Sequence, residues 1–402
     1  MAKLLDVYLQ GNCIGQISLL PGENTFFSFE ESYIKSHSHL TLSQSFISKT
    51  GQLITEVKPT RTRLHPFFSN LLPEGHLRDY LAARNQINSK REFPLIEALG
   101  ADLPGAVIIQ PSTGERHRLL DSETTLNEIF SKKLPYRFSL AGIQLKFSAI
   151  AERKGGLTIP ASGVGGTWIV KLPSVNFLQV PENEYTMMSL AKKVGINIPE
   201  CNLIEMKDIE GLPDLGSLQG HLALAVKRFD REANNTRIHM EDFAQVYGLY
   251  PEQKYDKVSY TNIANMIWTL CGEEGLTEYI RRLVFCILIG NGDMHLKNWS
   301  FLYPDGNTPV LAPAYDLLST IPYIPGDNLA LTLVKTKHMH LCNKDLFNLL
   351  SEKAKLPKHL VLNTVVQAAE ATRENWNDAK RGLNLDKKIV ADIDKHMASI
   401  PL

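Results

Sequence analysis

The longest regular hydrophobic pattern in the chain lies between residues 276 and 289. Leu276, Ile280, Leu283 and Ile287 recur at helical spacing, and residues 283–289 are almost wholly apolar. That pattern predicts a buried helix. Gly290 should stop it, because glycine adopts the left-handed turn that ends many helices. Beyond this point the period shortens. Trp299-Ser300-Phe301-Leu302-Tyr303 alternates as a strand, Pro304-Asp305-Gly306-Asn307 has hairpin-turn chemistry, and Val310-Leu311-Ala312 returns as a second strand. The polar run Gly290–Asn298 is then a loop, delivered by a rigid helix and followed by a hairpin.

The rest of the chain divides by pattern. Leu4–Gln10 and Cys13–Leu20 flank Gly11-Asn12, a tight-turn pair, and Thr25–Ile34 and Leu40–Ile47 read as further strands. Pro66–Gly75 leads into a helix over His76–Arg84, a second follows over Pro94–Leu99, and Gly100–Gly105 is a loop before the strand Ala106–Gln110. Residues 111–135 are polar and read as a connection. Next come a strand opening at Phe138–Lys146 and running through Ile150, a second at Trp168–Pro173, an amphipathic helix over Glu182–Val194 and a third strand at Leu222–Phe229. From residue 241 the chain is mainly helix-forming. The expected units are 1–110, rich in strands; 111–135, a connection; 136–230, a strand-strand-helix-strand lobe; and 231–402, a helical lobe. The class is α+β.

A chain of 402 residues suffices for two or more domains, and 44% hydrophobic with 21% charged residues is a globular balance. Lys plus Arg and Asp plus Glu both number 43, so there is no basic footprint for binding nucleic acid directly. Cys13, Cys201, Cys271, Cys286 and Cys342 lack metal-ligand spacing and fit buried thiols in a reducing cytoplasm. The N-terminus has no signal-peptide pattern, and no apolar run reaches the ~20 residues of a membrane span.

Candidate chemistry gathers at the polar loop. It offers Asp293, then Asn298 five residues on, then Asp316 in Ala314-Tyr315-Asp316 after the hairpin. Phosphoryl transfer needs one carboxylate facing the acceptor hydroxyl and two oxygen ligands for Mg²⁺. Protein kinases place base and metal-binding Asn at the same Asp-x-x-x-x-Asn interval. Lys171 ends an apolar strand, where it can neutralise ATP phosphates, and Glu184 on the next helix is its natural partner. Two glycine-bearing stretches could cover phosphates, Gly163-Val164-Gly165-Gly166 and Ser139–Lys146; neither is followed by the Gly-Lys-Ser/Thr of a P-loop. Lys227-Arg228-Phe229 should open the link between lobes, with its backbone at an adenine edge and Phe229 also suited to a core. His295, alone inside the loop, reads as loop-stabilising, and His338-Met339-His340 has no companion ligands nearby.

Taken together, these residues resemble the HipA family of bacterial serine/threonine kinases, toxins of type II toxin–antitoxin systems. Pro66–Gly75 and Asp102–Gly105 are similar to its N-terminal subdomain, and Ser139–Lys146 to its Ser-x-Ala-Gly-x-Gln-x-Lys phosphate loop. Lys171, Arg228-Phe229-Asp230-Arg231, Gly290–Asn298 and Ala314–Ser319 complete the resemblance. It implies a two-lobed kinase fold with Asp293 as proton acceptor and Asn298 and Asp316 on Mg²⁺. ATP would be lined by Ala141, Gly142, Ile143, Gln144, Leu145, Lys146, Lys171, Lys227, Arg228, Phe229, His295, Leu296, Lys297, Asn298, Tyr315 and Asp316. It further implies autophosphorylation at Ser139, which expels the phosphate loop, and an aminoacyl-tRNA synthetase as substrate, typically that for glutamate. The implied partner is a HipB-like helix-turn-helix antitoxin that makes the DNA contact. Lys227 departs from relatives that carry Glu before Arg-Phe. Two other readings compete: a catalytically weak co-repressor scaffold working with the antitoxin, and a small-molecule kinase of similar fold.

Overall fold

The computed structural model describes residues 3–36, 39–113, 146–151, 157–159, 166–212, 218–232, 236–381 and 385–402. The first strands, β1 (Lys3–Leu9) and β2 (Asn12–Leu20), pair antiparallel around Gln10 and Gly11, both at positive φ. The turn falls one residue earlier than Gly11-Asn12 suggests, and Gly11 still supplies one of the two left-handed positions such a hairpin needs. With β3 (Asn24–Phe29), β4 (Thr60–Arg61) and β5 (Val107–Pro111) they form a sheet in the order β4-β3-β2-β1-β5. Its buried face carries Leu5, Val7, Leu9, Ile17 and Phe27, packed on Phe67, Phe68, Leu95 and Ile96.

One expected strand, Thr25–Ile34, ends early and another, Leu40–Ile47, is absent. After Phe29 the chain turns into a short helix, α1 (Glu31–Lys35), and Leu40–Ile47 contains only a 3-10 turn at Gln44–Phe46. The cause at the second place is local: Ser43 Oγ accepts the Ser45 amide at 3.1 Å and donates to Glu241 at 2.5 Å, which favours a cap over a ladder. Helices α2 (Pro66–Ser69), α3 (Gly75–Arg84) and α4 (Glu92–Leu99) follow. Glu92 of α4 is buried and ties them together, accepting from the Leu64 amide at 2.8 Å and from Ser69 Oγ at 2.9 Å.

The next sheet contains β6 (Lys146–Ala151), β7 (Leu157–Thr158), β8 (Trp168–Lys171), β9 (Cys201–Glu205), β10 (Ile209–Glu210) and β11 (Leu222–Lys227), in the order β10-β7-β6-β8-β11-β9. Helix α5 (Val180–Lys193) lies against β9 and β11 and buries Met187, Met188, Leu190 and Ala191. The remainder is built on α6 (Phe243–Val246), α7 (Tyr260–Ile289), α8 (Lys344–Ala354), α9 (Lys358–Ala379) and α10 (Lys387–Ser399). A small sheet of β12 (His239–Asp242), β13 (Ser300–Tyr303) and β14 (Val310–Leu311) packs among them. Helix α7 breaks at Gly272, whose φ and ψ are 62° and −150°. Leu283–Ile289 is buried on every face. No helix among the described residues is long and apolar enough to cross a membrane.

The N-terminal sheet and the helical region meet through buried polar groups. Glu241 of β12 accepts from Ser43 Oγ, the Gln44 amide at 3.0 Å and Tyr303 Oη at 2.5 Å. His239 Nε2 lies 2.8 Å from the Leu42 carbonyl, and Gln245 Nε2 donates to the Phe67 carbonyl at 3.0 Å. Burial pushes the Glu241 carboxyl up to about 7, and the three donors limit the rise. A raised acid favours the folded state fully below its ordinary pKa of 4.5 and loses that contribution as pH climbs through about 7. Glu241→Gln should flatten this slope, because an amide of the same shape does not titrate. Denaturant midpoints measured from pH 5 to 8 test this; an unchanged slope refutes it.

Candidate active site

Lys171, the last residue of β8, is 4% exposed. Its ammonium pairs with Glu184 in the second turn of α5 and with Asp316 in the loop after β14. Burial alone would lower its pKa, but Asp316 and Glu184 outweigh that and hold it above the ordinary lysine value. Asp316 adopts a left-handed backbone, φ +54°, uncommon for a residue with a side chain. One ammonium thus joins the strand lobe to the helical lobe.

The loop Gly290–Asn298 is fixed by its own backbone chemistry. Helix α7 ends with Gly290 at φ +69°, where a Cβ would strike the Ile321 side chain. Asn291 accepts the Asp293 amide at 3.0 Å through Oδ1 and donates through Nδ2 to the Asp316 carbonyl at 3.3 Å. Thr320 Oγ1 accepts the Gly292 amide at 2.9 Å and reaches Asp327 at 2.6 Å. A Cβ on Gly292 would collide with the Asp327 carboxylate, so only glycine fits. Asn298 Nδ2 donates to the Asp293 carbonyl at 2.8 Å, so the acceptor Oδ1 is the side-chain atom that could face a cation. The Asp293 carboxylate is 57% exposed and accepts from Tyr255 Oη at 2.6 Å. His295 is buried, edge-on to the Tyr255 ring with centroids 5.0 Å apart, and burial lowers its pKa although Asp293 pulls the other way. Its packing role accords with a loop-stabilising residue.

Several expected nucleotide contacts are engaged elsewhere. The Lys297 side chain points to the N-terminal region, 3.0 Å from Asp242 Oδ2 and 3.0 Å from the Asn70 carbonyl. Lys227 is exposed and pairs with Glu200 at 3.1 Å. Arg228 is buried, with two bonds to Asp230 at 3.0 and 2.9 Å. Each of these three side-chain cations is paired with a carboxylate. Leu296 belongs to the core. Tyr315 Oη donates to the Lys297 carbonyl at 2.9 Å, and its ring packs 5.6 Å from that of Phe229. Ser139, Ala141, Gly142, Ile143, Gln144 and Leu145 lie outside the described residues, as do Gly163-Val164-Gly165; Lys146 is described only as the backbone start of β6.

Sequence reasoning did not pick out Tyr255, Asn70 or the linking role of Asn291. Only Asn291 carried a signal, as an Asx residue two positions before Asp293. Among the described residues no three His, Cys, Asp or Glu side chains gather as a metal cluster. The free oxygen of Asn298 and the carboxylate of Asp316 are hard donors of the kind Mg²⁺ takes when phosphates and water fill its other positions.

Fold and site define a class: a two-lobed, kinase-like α+β protein with an added N-terminal β module. Residues 5–110 match the HipA N-terminal domain and residues 138–376 the HipA-like C-terminal domain, so the chain belongs to the HipA family. It is 47% identical to "Putative kinase Y4dM" of Sinorhizobium fredii, over 99% of this chain and 97% of that one. It is 26% identical to the serine/threonine-protein kinase toxin HipA of Shewanella oneidensis, over 79% of this chain and 76% of that one. The solved Shewanella oneidensis complex of HipA, HipB and operator DNA contains a chain with the same fold: TM-score 0.74, 22% identity, 98% of this chain and 95% of that chain covered.

Lys171→Met should destabilise the protein by about 3 kcal/mol, because it strands the Glu184 carboxylate, which is 2% exposed. Adding Glu184→Gln should return part of that loss in equilibrium unfolding. Additive losses in the double variant would mean that the two side chains do not interact.

Proposed function

We propose that this protein is an ATP- and Mg²⁺-dependent serine/threonine protein kinase that acts as the toxin of a HipBA-type toxin–antitoxin pair. The observation that carries the proposal is the joining of Lys171 to Asp316, and of Asp316 through Asn291 to the loop bearing Asp293 and Asn298. In this reading Lys171 binds phosphate oxygens while Glu184 and Asp316 hold it in place. The Phe229 amide takes no partner among the described residues and is suited to the adenine edge, whereas the amides of Lys227 and Arg228 donate to Glu200 and Thr167. Asn298 Oδ1 and the Asp316 carboxylate would hold Mg²⁺, which would supply charge neutralisation at the phosphates. Asp293 accepts the acceptor hydroxyl proton as the new O–P bond forms and the bond to the ADP oxygen breaks.

The stretch Ala141–Lys146 covers the phosphates, and Ser139 is the autophosphorylation site. A doubly charged phosphate there repels the nucleotide and drives the loop out. The substrate is an aminoacyl-tRNA synthetase, glutamate–tRNA ligase first among them, and its modification halts translation in the cytoplasm. A HipB-like helix-turn-helix antitoxin carries the operator contact; the solved HipA–HipB–DNA relative and the net charge of +0 support this division of labour.

Purified protein with γ-labelled ATP and Mg²⁺ should label itself and one protein in a cell extract. Asp293→Gln or Asp316→Gln should lower both by about 10²-fold or more. Ser139→Ala should abolish self-labelling and keep transfer to the extract. No transfer from the unaltered protein, with operator repression intact, would establish the co-repressor scaffold instead. Label in a metabolite would establish a small-molecule kinase. A labelled protein that is no synthetase would sink the substrate assignment alone.

A further inference from the structure

The stretch Pro66–Gly75 stands out in the sequence, and the chemistry above gives it no task. In the structure it ends on the loop Gly290–Asn298. Glu74, just before α3, lies between two lysines: Oε2 is 2.9 Å from Lys254 Nζ and Oε1 is 3.4 Å from Lys297 Nζ. Asn70, at the end of α2, offers its carbonyl and Oδ1 to Lys297, each at 3.0 Å. Asp242 completes the cage. The Lys297 ammonium is thus held by two carboxylates, Asp242 and Glu74, and by two oxygens of Asn70. Glu74 is held below the ordinary carboxylate value: burial works against this, and Lys297 and Lys254 prevail.

Each lysine is next in sequence to a group at the site. Lys297 precedes Asn298. Lys254 precedes Tyr255, whose hydroxyl donates to Asp293, and the Lys254 ammonium stands 5.6 Å from the centre of the Tyr255 ring. The Lys254 carbonyl also accepts the Leu296 amide at 3.2 Å. One carboxylate of the N-terminal module therefore reaches Lys297 within the loop and Lys254 beside it.

We infer that Glu74 and Asn70 are positioning residues: the N-terminal module sets Asn298 through Lys297, and Asp293 through Lys254 and Tyr255. The catalytic consequence rests on the kinase reading; the ordering of the loop does not. Charged, partly buried acceptors hold an ammonium more firmly than neutral ones, and groups behind a metal ligand set its affinity.

The test uses Glu74→Gln, which keeps shape and removes charge, and Asn70→Ala, which takes Oδ1 from Lys297 and Nδ2 from the Leu249 and Pro66 carbonyls but removes no partner of Lys254. Hydrogen exchange in the full-length, ligand-free protein should rise several-fold in 254–256 and 293–298 for Glu74→Gln, with the core of α7 unchanged. For Asn70→Ala the rise should appear in 293–298 and beside Leu249 and should spare 254–256. The half-saturating Mg²⁺ concentration for phosphotransfer should increase about 10-fold in both variants, with a smaller change in KM for ATP. Unchanged exchange in the loop, or exchange raised evenly with a lowered melting temperature, would overturn the inference and leave a docking contact only. Raised exchange with no phosphotransfer by the unaltered protein would sustain the positioning role and remove the kinase reading.

Discussion

The buried ammonium of Lys171 constrains everything around it. A lysine at the end of an apolar strand loses its hydration and remains charged only if carboxylates replace the water. Glu184 and Asp316 do so, from two separate parts of the chain. Both carboxylates bond the same ammonium, so α5, β8 and the loop after β14 are held at fixed spacing. The strand lobe and the helical lobe are therefore registered by electrostatics as well as by apolar contact.

A second charged cluster joins the segment after β11 to the N-terminal module. Arg228 and Asp230 make paired bonds, and Arg231 reaches Asp230 at 2.8 Å and Asp102 at 3.0 Å. Asp230 also accepts the Gly105 amide at 2.8 Å. Glycine is required there, since a Cβ would stand 2.8 Å from the Met240 amide. Desolvation would raise the Asp230 pKa, but Arg228 and Arg231 hold it low. Every charge in the cluster has an opposite charge or a backbone group, the condition under which buried ions are tolerated. The segment after β11 is thus tied to the N-terminal module, and neither Arg228 nor Arg231 is free to turn into the cleft.

The legibility of the sequence followed the range of the interactions. The apolar run 283–289 admits only a buried helix, and the alternation after it admits only a strand, so that half of the site could be read locally. Lys171 was conspicuous because a charge closes an apolar strand. Strand β9 escaped notice because five residues, Cys201–Glu205, are too few to separate from loop by alternation alone. The expected strand at Leu40–Ile47 failed for a different reason: Glu241, close to 200 residues away in sequence, recruits Ser43 and the Gln44 amide. Lys297 and Arg228 were assigned to the nucleotide through the family resemblance; Lys297 instead meets Asp242 and Glu74, far off in the chain, and Arg228 meets Asp230 two residues on. The pairing of Glu74 with Lys254 spans 180 positions and has no local signature.

Asn291 shows how such a loop can be rigid without strong bonds of its own. It has no place in the Asp-x-x-x-x-Asn pattern, yet it is 1% exposed and uses both amide atoms. Oδ1 sets the backbone of Asp293, and Nδ2 holds the carbonyl of Asp316, whose left-handed φ of +54° must be stabilised by neighbours. Asp could accept but not donate, and Ser could not span both groups, so the side-chain amide is the chemistry this position needs. The two carboxylates of the site are therefore coupled through one residue that bears no charge. Displacing Asp316 would pull on the backbone that aims Asp293, and the spacing between them is set by the length of an asparagine.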